Sequence, residues 1–356
     1  MTRSRFLAHF ALAASLSVAP AWAADFPDPV EGDYVIENFA FHTGETLPEL
    51  RVHYTTVGDP SGEPVVVLHG TAGNGKAMAT GAFAEGMFGP GEPLDATKYY
   101  VILPDAIGTG GTTKPSDGLR ASFPSYNYDD MVDAQYRLLT EGLGIEHVRL
   151  IIGNSMGGMH VWTWGIEHPD FADALVPMAS LPGPMAGRNW MMRRMVIDSV
   201  RNDPAWKNGD YDEQPPNLRL ANAWFSIGTS NGDIGLHAKG PTSAEADAWL
   251  DERLANATVG DANDVLFQFE SSRDFDPSAD LEKITAPLLV INSADDERNP
   301  PELGILEREM PRIANGQVYI IPASAETTGH GTTGGKPGLY AQQLADFLAS
   351  VPSLTQ

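Results

Sequence analysis

The pentapeptide Gly153-Asn154-Ser155-Met156-Gly157 constrains this 356-residue chain more than any other feature. An apolar run, Val148-Arg149-Leu150-Ile151-Ile152, precedes it and reads as a buried strand. Gly158-Met159-His160-Val161-Trp162-Thr163-Trp164 follows and can open a helix. A serine between two glycines at a strand-to-helix turn sits where a bulkier backbone would clash. Such a turn pushes the hydroxyl out at the top of a sheet. The helix N-terminus behind it favours developing negative charge.

Composition narrows the class. Hydrophobic residues make up 42% and charged residues 20%, as in an ordinary globular protein. There are no cysteines, so disulfides, thiolate metal sites and a cysteine nucleophile are all excluded. The formal charge of −24 disfavours nucleic acid and anionic membranes as partners. No H-E-x-x-H or comparable ligand cluster appears, so neither a metal nor another cofactor is expected.

The first residues read as a targeting segment. Arg3 and Arg5 form a basic start, Phe6 to Val18 is apolar, and Ala21-Trp22-Ala23 offers a small-residue cleavage site. Residues 1–23 are therefore expected to be a signal peptide cleaved after Ala23, and the chain to be periplasmic or secreted. No later segment is long and apolar enough to anchor the mature chain in a membrane.

Along the mature chain, residues 33–39 and 50–56 alternate like an antiparallel pair. The runs 64–68 and 99–103 are continuous and apolar, as in strands buried on both faces, and 148–152, 174–178, 287–291 and 318–321 read as further strands. Helical spacing marks Tyr128 to Leu143 and roughly 338–350. Strands alternating with helices predict an α/β fold with a mostly parallel sheet flanked by helices. The stretch 183–275 breaks the rhythm and holds Trp190, Trp206, Trp224, Trp249 and four methionines. It reads as an inserted helical cap that closes over Ser155, with some of these side chains lining a pocket. The sheet core is then split into 24–182 and 276–356.

The elbow in this setting resembles that of the α/β-hydrolase fold, in which the acid and then the histidine follow the serine. Of the histidines after Ser155, His330 lies in Thr328-Gly329-His330-Gly331-Thr332, a loop between the last strand and the last helix. It is the expected general base. His160 reads as packing and His168 as a helix C-cap. After the strand 287–291 come Asp295-Asp296-Glu297. Asp296 is the expected acid, because in this fold a proline usually follows the acid by four residues. Asp295 is the runner-up, and Glu297 reads as a solvated charge. Met156 is expected to supply one oxyanion-hole amide. Thr71, in Leu68-His69-Gly70-Thr71-Ala72-Gly73, is expected to supply the other. Donors of this kind lower a barrier by about 3 kcal/mol each. His69 reads as support for that loop.

Within the superfamily the mature chain resembles the homoserine O-acetyltransferase-like branch. The matching stretches are Gly153 to Met159, Leu103-Pro104-Asp105-Ala106-Ile107-Gly108-Thr109-Gly110, Asp274-Phe275-Asp276, the Asp296 to Pro301 loop, and Gly329-His330. The resemblance implies a serine esterase or acyltransferase, and it leaves a homodimer open. Two departures separate this chain from the transferases. Gly331 stands where they carry an acid beside the histidine, and an exported enzyme would lack acetyl-CoA. The expected function is therefore hydrolysis of a small or medium carboxylic ester, or a lactone, through an acyl-enzyme on Ser155. The alternatives are an acyltransferase on the same three residues and a non-catalytic binding protein on the same fold.

Overall fold

The apolar runs of the sequence assemble into one eight-stranded sheet. Its strands are β1 (Val30–Ala40), β2 (Thr46–Val57), β3 (Glu63–Leu68), β4 (Tyr99–Pro104), β5 (Val148–Asn154), β6 (Ala172–Met178), β7 (Leu288–Ser293) and β8 (Gly316–Ile321). The computed structural model describes residues 26–255 and 260–354; the leader expected over residues 1–23 lies outside them. The spatial order is β1-β2-β4-β3-β5-β6-β7-β8. β1 and β2 pair antiparallel, β2 runs antiparallel to β4, and every other pairing is parallel.

Parallel strands need crossovers, and helices supply them. They are α1 (Gly75–Thr80), α2 (Ala82–Glu85), α3 (Tyr128–Arg137), α4 (Met156–Glu167), α5 (Gly187–Arg201), α6 (Asn217–Thr229), α7 (Asp233–Lys239), α8 (Ser243–Ala255), α9 (Ala262–Glu270), α10 (Ile305–Glu309), α11 (Thr332–Gly335) and α12 (Ala341–Ser350). Along β3, Val65 and Val67 face one side, where Phe83 and Phe88 pack with Leu344 and Phe347 of α12. Val66 and Leu68 face the other, where Met131 of α3 meets Trp162 and Trp164 of α4. Each such side chain contributes about 1.5–3 kcal/mol on burial, so the two layers make the sheet's centre a rigid platform.

α3 is shorter than its apolar spacing suggests. Asn127 and Asp130 close its start as a capping box, each side chain meeting the other's backbone N–H (3.1 and 3.0 Å). Beyond Arg137 the chain widens into a π turn over Leu138–Gly142, and Gly144 ends it at φ 68°.

α5 to α9 lie between β6 and β7, and α5, α6 and α9 share a small core of their own. Val196, Ile197, Val200, Leu218, Phe225, Leu266 and Phe269 form it. Two of the insert's four tryptophans, Trp190 and Trp206, pack against this body. Trp206 donates to Asn263 Oδ1 at 2.8 Å, and the cations of Lys239 and Arg253 lie 5.5 and 5.4 Å from the centre of the Trp249 ring. Trp224 is exposed. Among the described residues no helix is long and apolar enough to cross a membrane.

Candidate active site

Ser155 follows β5 with φ 58° and ψ −112°, a conformation that costs a non-glycine residue about 1–3 kcal/mol. Two close approaches force the glycines around it. A Cβ on Gly153 would lie 2.2 Å from the Gly157 carbonyl oxygen, and one on Gly157 would lie 2.2 Å from that of Leu68. The Ser155 N–H donates to the Met178 carbonyl at 2.9 Å, and its own carbonyl accepts the Met159 N–H at 2.9 Å. The serine is thus locked between sheet and helix. α4 begins at Met156, so the Met156 amide lies in the first turn, where N–H groups have no partner within the helix.

The structure brings His330 and Asp296 to this serine. His330 sits in a single helical turn after β8, entered through Gly329 at φ 58°. Its Nε2 lies 2.7 Å from Ser155 Oγ, and its Nδ1 lies 2.9 and 3.0 Å from the two Asp296 oxygens. A carboxylate only accepts, so Nδ1–H donates to Asp296 and Nε2 is left to accept the serine O–H. All three residues are buried, at 4% exposure for Ser155, 6% for His330 and 1% for Asp296. Burial and the Arg298 charge hold the imidazole below its ordinary range, against the pull of Asp296. Burial alone would raise the Asp296 carboxyl. The His330 imidazole, the Asn299 side chain and the Arg298 N–H outweigh it and hold the group below its usual value. Asp296 therefore stays ionised and His330 neutral, the pair of states a base needs.

The three adjacent acids have three partners. Asp296 faces the imidazole. Asp295 instead accepts from Thr327 Oγ1 at 2.7 Å and from the Gly329 N–H at 3.2 Å, so it braces the loop that carries His330. Glu297 corrects the solvated-charge expectation. It is half-buried and accepts the Gly232 N–H at 2.7 Å and the His330 N–H at 3.1 Å. The reason is the insert, whose segment before α7 folds down onto the acid loop.

The loop after β3 passes beside the serine: a Cβ on Gly70 would lie 3.4 Å from Ser155 Cβ. Thr71 follows it. His69, kept neutral by burial, donates from Nδ1 to the Gly70 carbonyl at 2.8 Å and accepts the Ala106 N–H at 3.0 Å. Asp105 accepts the Gly75 and Gly111 amides at 2.6 and 2.8 Å, which ties the Leu103–Gly110 stretch to the same scaffold. His160 is buried against Gln135 at 3.2 Å, and burial takes it down to about 3. His168 caps α4 and stacks on Tyr136 at 4.0 Å.

Sequence reasoning missed Asn299, Arg193 and Gln268. Asn299 donates from Nδ2 to Asp296 Oδ2 at 3.0 Å and to the Ala179 carbonyl at 2.8 Å. Arg193 lies on the buried stripe of α5 with Asn189, Val196, Ile197 and Val200, at helical spacing. A cation inside an apolar stripe is a signal the sequence does carry. Gln268 sits likewise on the buried face of α9.

A cavity of about 450 Å³ adjoins the acid side of the site, lined by Met159, Met185, Asn189, Arg298 and Asn299 among others. A larger one, about 560 Å³, lies beside β8 and is lined by Leu181, Ile305, Met310 and Val318. It touches none of the three residues, so hydrogen-bond geometry rather than cavity size marks the site. Among the described residues no three His, Asp or Glu side chains cluster as a metal site would need.

Comparison with known proteins fits this geometry. Residues 63–324 match the alpha/beta hydrolase fold family. A homoserine O-acetyltransferase of Haloarcula marismortui is 30% identical over 291 residues, covering 68% of this chain and 71% of that protein. The chain belongs to the α/β-hydrolase family, in its homoserine O-acetyltransferase-like branch. The fold of this α/β-hydrolase recurs in a homoserine O-acetyltransferase from Bacillus anthracis (TM-score 0.80, 19% identity, 91% of this chain and 99% of that one). It recurs also in esterase E22 (TM-score 0.79, 18% identity, 90% of this chain and 100% of that one). The names of these relatives and neighbours thus divide between a transferase and an esterase.

Proposed function

We propose that this enzyme is an exported serine esterase that cleaves a small or medium carboxylic ester or a lactone. The observation that carries the reading is the 2.7 Å contact from His330 Nε2 to Ser155 Oγ, backed by Asp296 at 2.9 Å. Ser155 Oγ attacks the ester carbonyl carbon while its proton passes to His330 Nε2. Asp296 stabilises the imidazolium. The Met156 and Thr71 amides hold the oxyanion. Collapse expels the alcohol, which takes the proton from His330. Water then attacks the acyl-enzyme carbonyl and gives a proton to the same Nε2; collapse breaks the bond to Ser155 Oγ, which takes that proton back as the acid leaves.

Water as acceptor is favoured by Gly331. The residue is exposed, and its backbone offers no charge where the related transferases hold an amino group. A second reading has an observation of its own. Ser155 and His330 lie under the insert at only 4 and 6% exposure, and a site shielded from water suits acyl transfer. The relatives named as transferases support the same alternative.

The mature protein is expected to release p-nitrophenol from p-nitrophenyl esters within the acetyl to octanoyl range, with lactones run in parallel. Ser155→Ala should remove at least about four powers of ten of that rate. An alanine variant with full activity would place the chemistry elsewhere. Homoserine with acetyl-CoA is expected to give no O-acetylhomoserine, and efficient formation would promote the transferase reading. Export predicts a mature N-terminus at Ala24 on sequencing. A homodimer is supported by Met191 and Met195 of α5 and Leu220 and Trp224 of α6, all exposed. Light scattering of Trp224→Glu against the wild type tests it.

A further inference from the structure

The insert reaches the catalytic loop as well as covering it. Arg193, fully buried on α5, donates from Nη2 to Thr71 Oγ1 at 3.0 Å. Its Nε donates to Asn189 Oδ1 at 3.0 Å and its Nη1 to Ser272 Oγ at 3.4 Å, so its three hydrogen-bond acceptors are neutral oxygens, and the Phe269 ring lies 5.4 Å from the guanidinium carbon. A buried guanidinium held only by neutral groups is costly, and its retention calls for a task. Gln268, 2% exposed on α9, accepts the Ala72 N–H through Oε1 at 2.8 Å. That N–H fixes which way the side-chain amide points, and the Gln268 Nε2 is left buried without a hydrogen-bond partner.

The loop they grip is one that needs holding. Ala72 has φ 60°, a left-handed conformation that residues with a side chain seldom adopt. The turn is closed by the Gly73 N–H on the Gly70 carbonyl at 2.9 Å, and His69 ties that same carbonyl from the core side. The core therefore fixes Gly70, and the insert fixes Thr71 and Ala72. We propose that Arg193 and Gln268 are positioning residues that set the Thr71 amide as one wall of the oxyanion hole, so that the hole is complete only with the helical insert docked. The proposal rests on the acyl-enzyme reading of Ser155 and adds the insert to its machinery.

An oxyanion donor acts by being in place before charge develops. Removing one costs about 10²–10³ in kcat, and loosening one should cost a part of that, about 10–100-fold. Substrate binding should hardly change, because the ground-state carbonyl depends little on the hole. The test measures kcat and KM on p-nitrophenyl acetate and the affinity for phenylboronic acid, whose tetrahedral Ser155 adduct puts a negatively charged oxygen in the hole. Gln268→Leu and Arg193→Met are expected to lower kcat about 10–100-fold with KM within about threefold, the boronic acid weakening in step. Gln268→Glu keeps an acceptor for the Ala72 N–H and should recover kcat to within about fivefold of the wild type. Thr71→Val removes the Arg193 bond from the core side and leaves the insert untouched, so it decides the matter if Arg193→Met fails to fold. Folded variants with unchanged kcat and unchanged boronic acid affinity would overturn the proposal. So would a loss confined to KM. A wild type that takes up the boronic acid but hydrolyses no ester would sink only the esterase reading, and the boronic acid comparison among the variants then decides the positioning role.

Discussion

The sheet and the insert contribute to the site in different ways. The sheet supplies residues whose place is fixed by backbone. Ser155 and Met156 are at the end of β5, Asp296 follows β7, His330 follows β8 and Thr71 follows β3. All but His330 sit within a few residues of a strand that is mostly buried; His330 lies on a longer loop after β8, whose side chains are mostly exposed or half-buried. The insert supplies side chains across long sequence distances: Arg193 to Thr71 over 122 residues, Gln268 to Ala72 over 196. A platform built from buried parallel strands can hold reacting atoms rigidly. A separate helical body with its own core can be rebuilt or moved without dismantling that platform. The division explains how related proteins can share this fold while their names divide between transferases and esterases.

The comparison is broken most severely if chemistry can be removed without touching the sheet's loops. Asp296→Asn should lower kcat by about 10³–10⁴-fold, because the imidazole loses its fixed tautomer. Asp295→Asn should cost only about tenfold, since Asp295 braces Thr327 and Gly329 rather than the ring. Equal losses, measured as kcat on one ester, would mean that the acid loop works as a unit.

Packing gives the next largest effect. A methyl on Gly157 would meet the Leu68 carbonyl at 2.2 Å, where backbone and not a flexible side chain must yield. Gly157→Ala should therefore cost about 3 kcal/mol or more in denaturant unfolding and disturb β3 and α4 together. A change below about 1 kcal/mol would show the platform to be softer than its burial implies.

The pH dependence sharpens the same contrast. His330 is held below the ordinary imidazole value of 6.5, so kcat/KM should lose activity only as pH falls below that value. An acid limb centred above 6.5 would refute the buried, neutral base. His160 adds a stability effect. Its folded value, about 3, lies below the unfolded 6.5. Between these values the unfolded chain binds protons that the native chain refuses, so stability declines as pH falls through this window. His160→Gln should flatten that decline.

The legibility of the sequence followed the same divide. Ser155 and His330 could be read because local features announce them, glycines on both sides and a strand just before. The pairing of β1 with β2 and the double burial of β3 and β4 could be read from alternation and from its absence. Asp296 was separable from Asp295 only through the spacing to Pro300. What distinguishes the two physically is the imidazole of a loop 34 residues away. Glu297 looked solvated because nothing local reveals that Gly232 descends on it from the insert. The partners of Arg193 and Gln268 were out of reach for the same reason, although both residues stand on apolar helical stripes. The short helices α1 and α2 carry too few periods to announce themselves.

The gentlest test asks whether the insert is a separate cooperative body. Trp206 Nε1 donates to Asn263 Oδ1 inside the insert, 2.8 Å apart, and Asn263 Nδ2 in turn donates to the Gly209 carbonyl at 3.0 Å. Both bonds lie within residues 206–263 and reach no strand. Trp206→Phe removes one half-buried hydrogen bond worth about 1 kcal/mol, roughly a fivefold loss of amide protection in whatever unit opens with it. If the insert opens on its own, hydrogen exchange should accelerate in α5, α6 and α9 and stay unchanged in β5 and β6. If the strands lose protection by the same factor, sheet and insert unfold as one, and the positioning of Thr71 and Ala72 from above would then be a permanent feature of the native state rather than a contact that comes and goes with the insert.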